Sequence, residues 1–205
     1  PVRISGLSPD ASNVAIGASG SLVFVAWVDE NNQITYIRST DQGSNFSAPI
    51  ILSTPGIPAD QPSIAAGNGG KDVYVAWIQD IPGEANRQLF VAHSTDFGVT
   101  FPQIIAVPGA ARPDIPSIVI NETVNKVFIA WREDEHDPPT RAIEFSRSED
   151  SGATFTQPLA VATGNVDRPS LAINEMGSLK LVWRQNDDIF FARSTDQGNT
   201  FSVPE

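Results

Sequence analysis

The chain has 205 residues, 40% of them hydrophobic and 18% charged, which is the composition of a folded protein and excludes a disordered one. Its 24 acidic and 13 basic residues give a net charge of −11, so we expect no nucleic-acid partner, because such proteins carry a basic surface. The sequence contains no cysteine, which excludes disulfides and thiolate chemistry, and no apolar run approaches the roughly 18 residues of a membrane-spanning helix.

The sequence consists of four similar units, each of which predicts four short β-strands. In the second unit, the predicted strands are residues 63–67, 73–78, 88–94 and 103–107. Val, Ile, Phe and Ala dominate these segments, and turns rich in Gly, Asn and Pro separate them, as β-strands require. No segment holds the 3.6-residue apolar period of a helix. The chain is therefore predicted to be all-β, with residues 1–205 forming one domain.

Two sequence signals repeat with the units. One tryptophan ends an apolar run in each unit, and we expect these side chains to pack between units rather than stack on sugars: Trp27, Trp77, Trp131 and Trp183. The second signal is the pattern S-x-D-x-G-x-[TN]-F, at residues 39–46, 94–101, 148–155 and 194–201. Its aspartates are 55, 54 and 46 residues apart. Four-stranded units with this period fit the blades of a β-propeller.

The eight-residue pattern has a structural interpretation as the turn between the third and fourth strands of each unit. Its aspartate accepts hydrogen bonds from turn amides, its glycine supplies a positive φ, and its phenylalanine returns the chain to the core. The residues assigned to these roles are Asp41, Gly43, Phe46, Asp96, Gly98, Phe101, Asp150, Gly152, Phe155, Asp196, Gly198 and Phe201.

These segments resemble Asp-boxes, also called bacterial neuraminidase repeats, which occur in sialidase-like β-propellers. Four matches in register cover essentially the whole chain. The four repeats predict an all-β, four-bladed β-propeller of four-stranded antiparallel blades. The resemblance implies that the Asp-boxes are structural and lie on the face opposite the ligand site, and that the protein is secreted or displayed on the cell surface.

The catalytic residues of the family are not recognisable in the chain. In sialidases that resemble it, the propeller has six blades, a tyrosine paired with a glutamate attacks, an aspartate is the acid/base, and three arginines bind the carboxylate. Here the only tyrosines, Tyr36 and Tyr74, lie within predicted strands. We therefore expect a non-enzymatic structural or interaction module that self-assembles into a homopolymeric surface filament. The alternative is a glycan-binding module or a sialidase-like glycoside hydrolase.

The two ends of the chain predict how the propeller closes. Residues 1–5, from Pro1 to Ser5, match residues 49–53 in type and place, whereas the last unit ends soon after Phe201. The N-terminal strand is therefore predicted to complete the last blade. Three arrangements stay open: closure within one chain, strand exchange with a neighbouring chain into a ring or filament, and two chains in one eight-bladed ring. Under the last two, the partner is a further copy of the chain.

The loops opposite the Asp-boxes carry many charges. Their acidic residues are Asp29, Glu30, Asp80, Glu84, Glu133, Asp134, Glu135 and Asp137. Arginines in the same loops are Arg112, Arg132, Arg168 and Arg184. We interpret these residues as charged surface loops. A glycosidase would need two of the carboxyl groups about 5–9 Å apart.

Four aspartates are predicted to start the innermost strand of each blade: Asp10, Asp60, Asp114 and Asp167. Converging carboxylates repel unless they bind a cation, and oxygen ligands favour Ca²⁺. The alternative, an Asx-turn at each strand start, leaves the protein without a cofactor, which is the simpler expectation. Two glycosylation sequons, at Asn45 and Asn121, fall in predicted turns and are expected to be accessible.

Overall fold

The structure, a computed structural model, describes residues 3–4, 10–134 and 140–204. Within these ranges the regular elements are β-strands and one short 3₁₀ turn, Asn68–Gly70, and no helix is long and apolar enough to cross a membrane. The strands are β1 (Ser12–Ser19), β2 (Leu22–Val28), β3 (Ile34–Ser39), β4 (Ile50–Ile51), β5 (Ala59–Gly67), β6 (Asp72–Asp80), β7 (Arg87–Ser94), β8 (Gln103–Ala106), β9 (Pro113–Asn121), β10 (Lys126–Asp134), β11 (Arg141–Ser148), β12 (Leu159–Gly164), β13 (Val166–Ile173), β14 (Leu179–Gln185) and β15 (Asp188–Ser194).

The strands form four antiparallel sheets, which are the blades. Three sheets have four strands each, in the orders β1-β2-β3-β4, β5-β6-β7-β8 and β9-β10-β11-β12, and the fourth contains β13-β14-β15 in the part of the chain that is described. Each blade is a meander of consecutive strands, because short turns join antiparallel neighbours. The predicted all-β, four-bladed propeller architecture is confirmed.

The N-terminal segment is described only at Arg3 and Ile4, so most of the predicted closing strand lies outside the described residues. Ile4 packs against the first blade, on Val25, Trp27 and Ile37. Leu52 belongs in a similar way to the core that contains Val73, Val75 and Trp77 of the second blade. Ile4 thus occupies the place, relative to the first blade, that an outer strand of a preceding blade would take.

Three apolar cores hold consecutive blades together. The first two blades share a core around Phe24, Tyr36 and Trp77. Trp131 lies in the core between the second and third blades, and Trp183 in the core between the third and fourth. These two tryptophans are almost completely buried, so both faces of an internal blade supply core residues, as strand alternation allows.

In the second, third and fourth blades, a side chain two residues after the tryptophan accepts its indole N–H. Trp77 donates to Gln79 at 3.2 Å, and Trp131 donates to Glu133 at 2.9 Å. Trp183 donates to Gln185 at 3.2 Å. The same oxygen of Gln79 also accepts the backbone N–H of Thr54, which ties the preceding blade to this seam.

The first blade lacks this bond. Asp29 stands at the equivalent position, one methylene shorter, and its carboxylate accepts the backbone N–H groups of Asn31 and Gln33 in its own turn. The buried Nε1 of Trp27 consequently has no hydrogen-bond partner.

All four Asp-boxes form the same hydrogen-bonded turn. In the second blade, Asp96 Oδ1 accepts the backbone N–H of Thr100 at 2.9 Å, and Oδ2 accepts the Thr100 hydroxyl at 2.7 Å. Ser94 Oγ donates to the same carboxylate and accepts the Gly98 N–H. In the first blade, Asn45 takes the place of the threonine and donates through Nδ2 to Asp41 at 2.7 Å.

The Asp-box glycine also brings blades into contact. Gly98 has φ of 72°, and a Cβ there would lie 2.0 Å from the Tyr36 hydroxyl of the preceding blade. A Cβ at Gly152 or Gly198 would similarly meet Tyr74 or Phe145. These glycines therefore allow both the positive φ of the turn and the close approach of the preceding blade.

We predict that Gln79→Ala lowers the free energy of unfolding by about 2–3 kcal/mol, because two buried N–H groups lose their acceptor. Denaturant unfolding followed by tryptophan fluorescence measures the change. Gln79→Glu is the matched control, since Glu133 makes the same bond in the third blade, and it should cost less than Gln79→Ala. Equal losses for the two variants would contradict the hydrogen-bonding role.

A second prediction concerns the Asp-boxes. Hydrogen bonds from the Thr100 backbone, the Thr100 hydroxyl and Ser94 outweigh desolvation and lower the pKa of Asp96 to about 2. An unfolded aspartate has a pKa near 4, so this contribution to stability is complete above about pH 4 and disappears as the pH falls through about 2. Asp96→Ala should therefore cost about 1–2 kcal/mol at neutral pH and progressively less below pH 4.

The stability difference between wild type and Asp96→Ala, measured by denaturant unfolding at several pH values, tests this prediction. Asp187→Ala, at an exposed turn position, controls for the loss of a surface charge. A difference for Asp96→Ala that stays constant from neutral pH to pH 2 would refute it.

Candidate functional site

Charged side chains converge at the end of the propeller opposite the Asp-boxes, which we call the polar end. The Asp-boxes follow the third strand of each blade. Because the strands are antiparallel, the inner strands begin, the second strands end and the third strands begin at the opposite end. This places the acidic loops and the Asp-boxes at opposite ends, as expected from the sequence.

Arg132 is the centre of the polar end. Its Nη1 donates to Asp167 at 2.7 Å, and its Nη2 contacts Asp114 and lies 3.1 Å from Asp134. Burial acts to lower the pKa of Arg132, but the hydrogen bond to Asp167 and the Asp114 and Asp134 charges outweigh it, so the pKa is raised. The pKa of Asp167 is lowered, because bonding to Arg132 outweighs desolvation. Arg132 and Asp167 therefore form an ion pair.

Three further arginines surround this centre and are partly exposed. Arg87 lies 3.2 Å from Asp80 and 3.8 Å from Asp114. Arg184 lies 3.4 Å from Asp167, and Arg141 lies 3.0 Å from Asp134. The four arginines come from the second, third and fourth blades, so the network spans three consecutive blades.

Only three of the four aspartates that were predicted to form a ring share a position in the structure. Asp60, Asp114 and Asp167 occupy one register position, opposite Ile78, Arg132 and Arg184. In the first blade that position, opposite Val28, is Ser12, and Asp10 lies in the turn before β1. Asp10 is therefore a correction. Only two residues separate Ser19 from its partner Leu22 in the first hairpin, whereas four separate the corresponding pairs of the second and third blades, so the register position falls on Ser12.

The described part of the polar end does not fit a calcium site. Asp114 and Asp167 are bound by Arg132, and Asp60 accepts hydrogen bonds from the Asn13 side chain and the Gln61 backbone. No group of three acidic or histidine side chains in residues 3–4, 10–134 and 140–204 could hold a metal ion. The Arg132 guanidinium contacts two of the aspartates for which a cation was one of the two interpretations.

An open cavity of about 750 Å³ adjoins this network between the second and third blades. Glu133, Asp134, Arg112, Asn86 and Glu144 are among its lining residues. Glu133 is buried, which raises its pKa despite hydrogen bonds from Trp131 and the Arg112 backbone. The cavity has the size of a small-ligand site.

The other acidic loop residues are dispersed. Asp29 closes the turn of the first blade, and Glu30 and Glu84 are exposed. Arg168 is exposed beside Asp167. Glu135 and Asp137 lie outside the described residues. Sequence reasoning named most of the charged residues, but it missed Arg87 and Arg141, which pair across the second and third strands with Asp80 and Asp134.

The remaining candidates lie away from the polar end. Tyr36 and Tyr74 are buried in interblade cores, and burial raises the pKa of each phenol. Asn45 is exposed in its Asp-box. Asn121 differs from the expected accessibility, because its side chain is buried and its Oδ1 accepts the Thr123 N–H.

No protein-family model matches the chain, and no curated protein matches its sequence. Similar folds occur among solved structures. A Hadza microbial sialidase, Hz136, is 16% identical with a TM-score of 0.72, over 95% of this chain and 46% of that one. An endosialidase from phage phi92 is 11% identical with a TM-score of 0.66, over 95% and 46%. The GH43 endo-arabinanase from Bacillus licheniformis is 15% identical with a TM-score of 0.57, over 93% and 73%.

These comparisons correct one expectation. The sequence analysis predicted a protein that is not an enzyme, but the similar solved structures are glycoside hydrolases: sialidases, a galactanase and an arabinanase. The chain spans about half the length of the sialidases and the galactanase. At these identities the likeness establishes the fold, and the chain has the β-propeller fold that these sialidases and GH43 proteins share.

Proposed function

We propose that the chain acts on carbohydrates as part of a glycoside-hydrolase-type propeller, and that it binds acidic glycans at the polar end. One observation carries the proposal: arginines from three consecutive blades surround shared carboxylates beside an open cavity. The fold likeness to sialidases and GH43 enzymes supports the reaction class.

The distribution of basic residues favours an acidic ligand. Although the chain carries a net charge of −11, six of its 13 basic residues are arginines at the polar end: Arg87, Arg112, Arg132, Arg141, Arg168 and Arg184. Guanidinium groups bind carboxylates in a bidentate geometry. The carboxylate of an acidic sugar would replace some of the protein's own carboxylates as the partner of the exposed arginines.

The carboxylates would supply the remaining sugar contacts. Asp134 is the best placed, because it is partly exposed, contacts Arg132 and Arg141, and borders the cavity. Sugar hydroxyls donate to such oxygens, while Arg132 holds the side chain in position. Glu133 is buried and holds Trp131, so we assign it a structural role.

The proposal is consistent with an extracellular localisation of the protein. Secretion or cell-surface display, which the Asp-box resemblance implies, would bring this surface to extracellular glycans and stays a prediction.

We predict that the protein binds acidic oligosaccharides in preference to neutral ones of the same length. Arg184→Ala and Asp134→Asn should each weaken binding at least about 10-fold, since a charged hydrogen bond contributes about 1.5–3 kcal/mol. Isothermal titration with sialic-acid-containing, uronic-acid-containing and neutral oligosaccharides measures this, and reducing-end assays on the same sugars measure hydrolysis.

Lys71→Ala is the matched control, because it removes one exposed positive charge beside the Asp-boxes, and it should leave binding unchanged. Equal affinity for acidic and neutral sugars would overturn the proposed substrate class. Binding without any hydrolysis would overturn the reaction class and leave a glycan-binding module.

A further inference from the structure

The third blade holds an isoleucine in a backbone conformation that suits it poorly. Ile115 has φ of 50°, in the left-handed region that L residues rarely occupy and that a β-branched side chain occupies least readily. It also precedes Pro116, and a residue before proline favours φ near −120°. Both its own side chain and the following proline therefore strain the backbone at Ile115.

The strain arises at a bulge that all four inner strands share. In each blade the residue after the shared register position has a positive φ: Asn13, Gln61, Ile115 and Arg168. In the third blade, Ile115 and Pro116 together oppose a single residue of β10, Trp131. The other three blades carry polar side chains at this position, and the third blade carries an apolar, β-branched one.

A hydrogen bond from the neighbouring blade fixes the backbone at the bulge. The Ile115 N–H donates to Gln61 Oε1 at 2.6 Å, and Gln61 is the bulge residue of the second blade. Asn13 likewise reaches the next blade, because its Nδ2 donates to Asp60 at 2.6 Å. Contacts between blades therefore hold Ile115 in its strained conformation, as they must for such a conformation to persist.

The Ile115 side chain contributes little to the interior. It is partly exposed and is not part of the core between the second and third blades, to which Ile118 of the same strand belongs. Ile115 directly follows Asp114, which contacts Arg132 and lies 3.8 Å from Arg87. An apolar side chain is therefore placed beside the arginine–carboxylate network of the polar end.

We propose that Ile115 contacts the ligand at the polar end, where it packs against the apolar face of an acidic sugar whose carboxylate the exposed arginines bind. The inference rests on the proposed function and adds a residue that selects the ligand.

The combination of groups distinguishes acidic sugars from simple anions. Guanidinium groups bind a carboxylate, a sulfate or a phosphate by charge and hydrogen bonds. A sugar ring also carries hydroxyl groups at its edge and carbon–hydrogen bonds on its faces, and burying such a face against Ile115 stabilises the complex. An inorganic anion has no such face and gains nothing from Ile115.

A polar residue would suit the free protein better at this position. Asparagine tolerates the left-handed region and is the residue that the first blade has there, Asn13. The isoleucine therefore lowers the stability of the free protein, and its benefit arises when a ligand covers it. Loss of stability in exchange for binding is typical of functional sites.

The variant Ile115→Asn tests both effects. Because asparagine relieves the strain, the midpoint of thermal unfolding should rise by at least about 2 °C. Because the change removes the apolar contact and alters no charge, the acidic oligosaccharides should bind about 5-fold or more weakly in isothermal titration. Inorganic sulfate, which meets only the arginines, should compete with the oligosaccharide equally well in wild type and variant.

Two further variants serve as controls. Ile115→Leu keeps an apolar side chain without the β-branch, and it should bind the oligosaccharides within about 2-fold of wild type. Phe97→Gln makes a similar exchange at the opposite end of the propeller, since Phe97 has φ of 63° in its Asp-box and the first blade has Gln42 at that position. This variant should leave the affinity unchanged.

The results separate this inference from the proposed function. A lower unfolding midpoint for Ile115→Asn would assign Ile115 to the stability of the fold and overturn the inference. An unchanged affinity for Ile115→Asn, or an equal loss for Ile115→Leu, would also overturn it, while wild-type binding of acidic sugars would leave the proposed function standing. Wild-type protein that binds none of the oligosaccharides would overturn both.

Discussion

The apolar seam between consecutive blades is the interaction on which the structure depends. A single antiparallel blade has two faces. An internal blade can exclude water from both faces only by packing against two neighbouring blades. Trp131 and Trp183 fill two of these seams, and the Asp-box glycines permit the close approach of aromatic side chains from the preceding blade. The Asp-box turn and the core therefore depend on each other. The hydrogen bonds of Asp96 hold the turn, and Gly98 in that turn leaves room for Tyr36 of the preceding blade.

This constraint leaves the two ends of the propeller free to differ. At the Asp-box end, arginines reach across the seam to backbone carbonyl groups, and their positions repeat from blade to blade. At the polar end, one register position holds Val28, Ile78, Arg132 and Arg184 in successive blades. Pseudo-symmetric blades thus produce an asymmetric surface, since two aliphatic residues are followed by two arginines that draw the carboxylates together.

Burying apolar area stabilises by about 25 cal/mol per Å², and the internal seams provide it. Ile118 and Ile143 are buried there, whereas Ile16 and Ile189, at the equivalent positions of the first and fourth blades, are exposed.

The sequence by itself determined the all-β class, the four units, the Asp-box turns and the role of most tryptophans, because these follow from local periodicity and turn chemistry. The tertiary structure decided what depends on contacts between units. The shorter first hairpin, between Ser19 and Leu22, moved Asp10 out of the aspartate series. The Arg132 guanidinium contacts Asp114 and Asp167, for which the sequence had left a cation or an Asx-turn open. Neither was visible in the spacing of residues, since register and cross-blade ion pairs are fixed by packing between residues far apart in the chain.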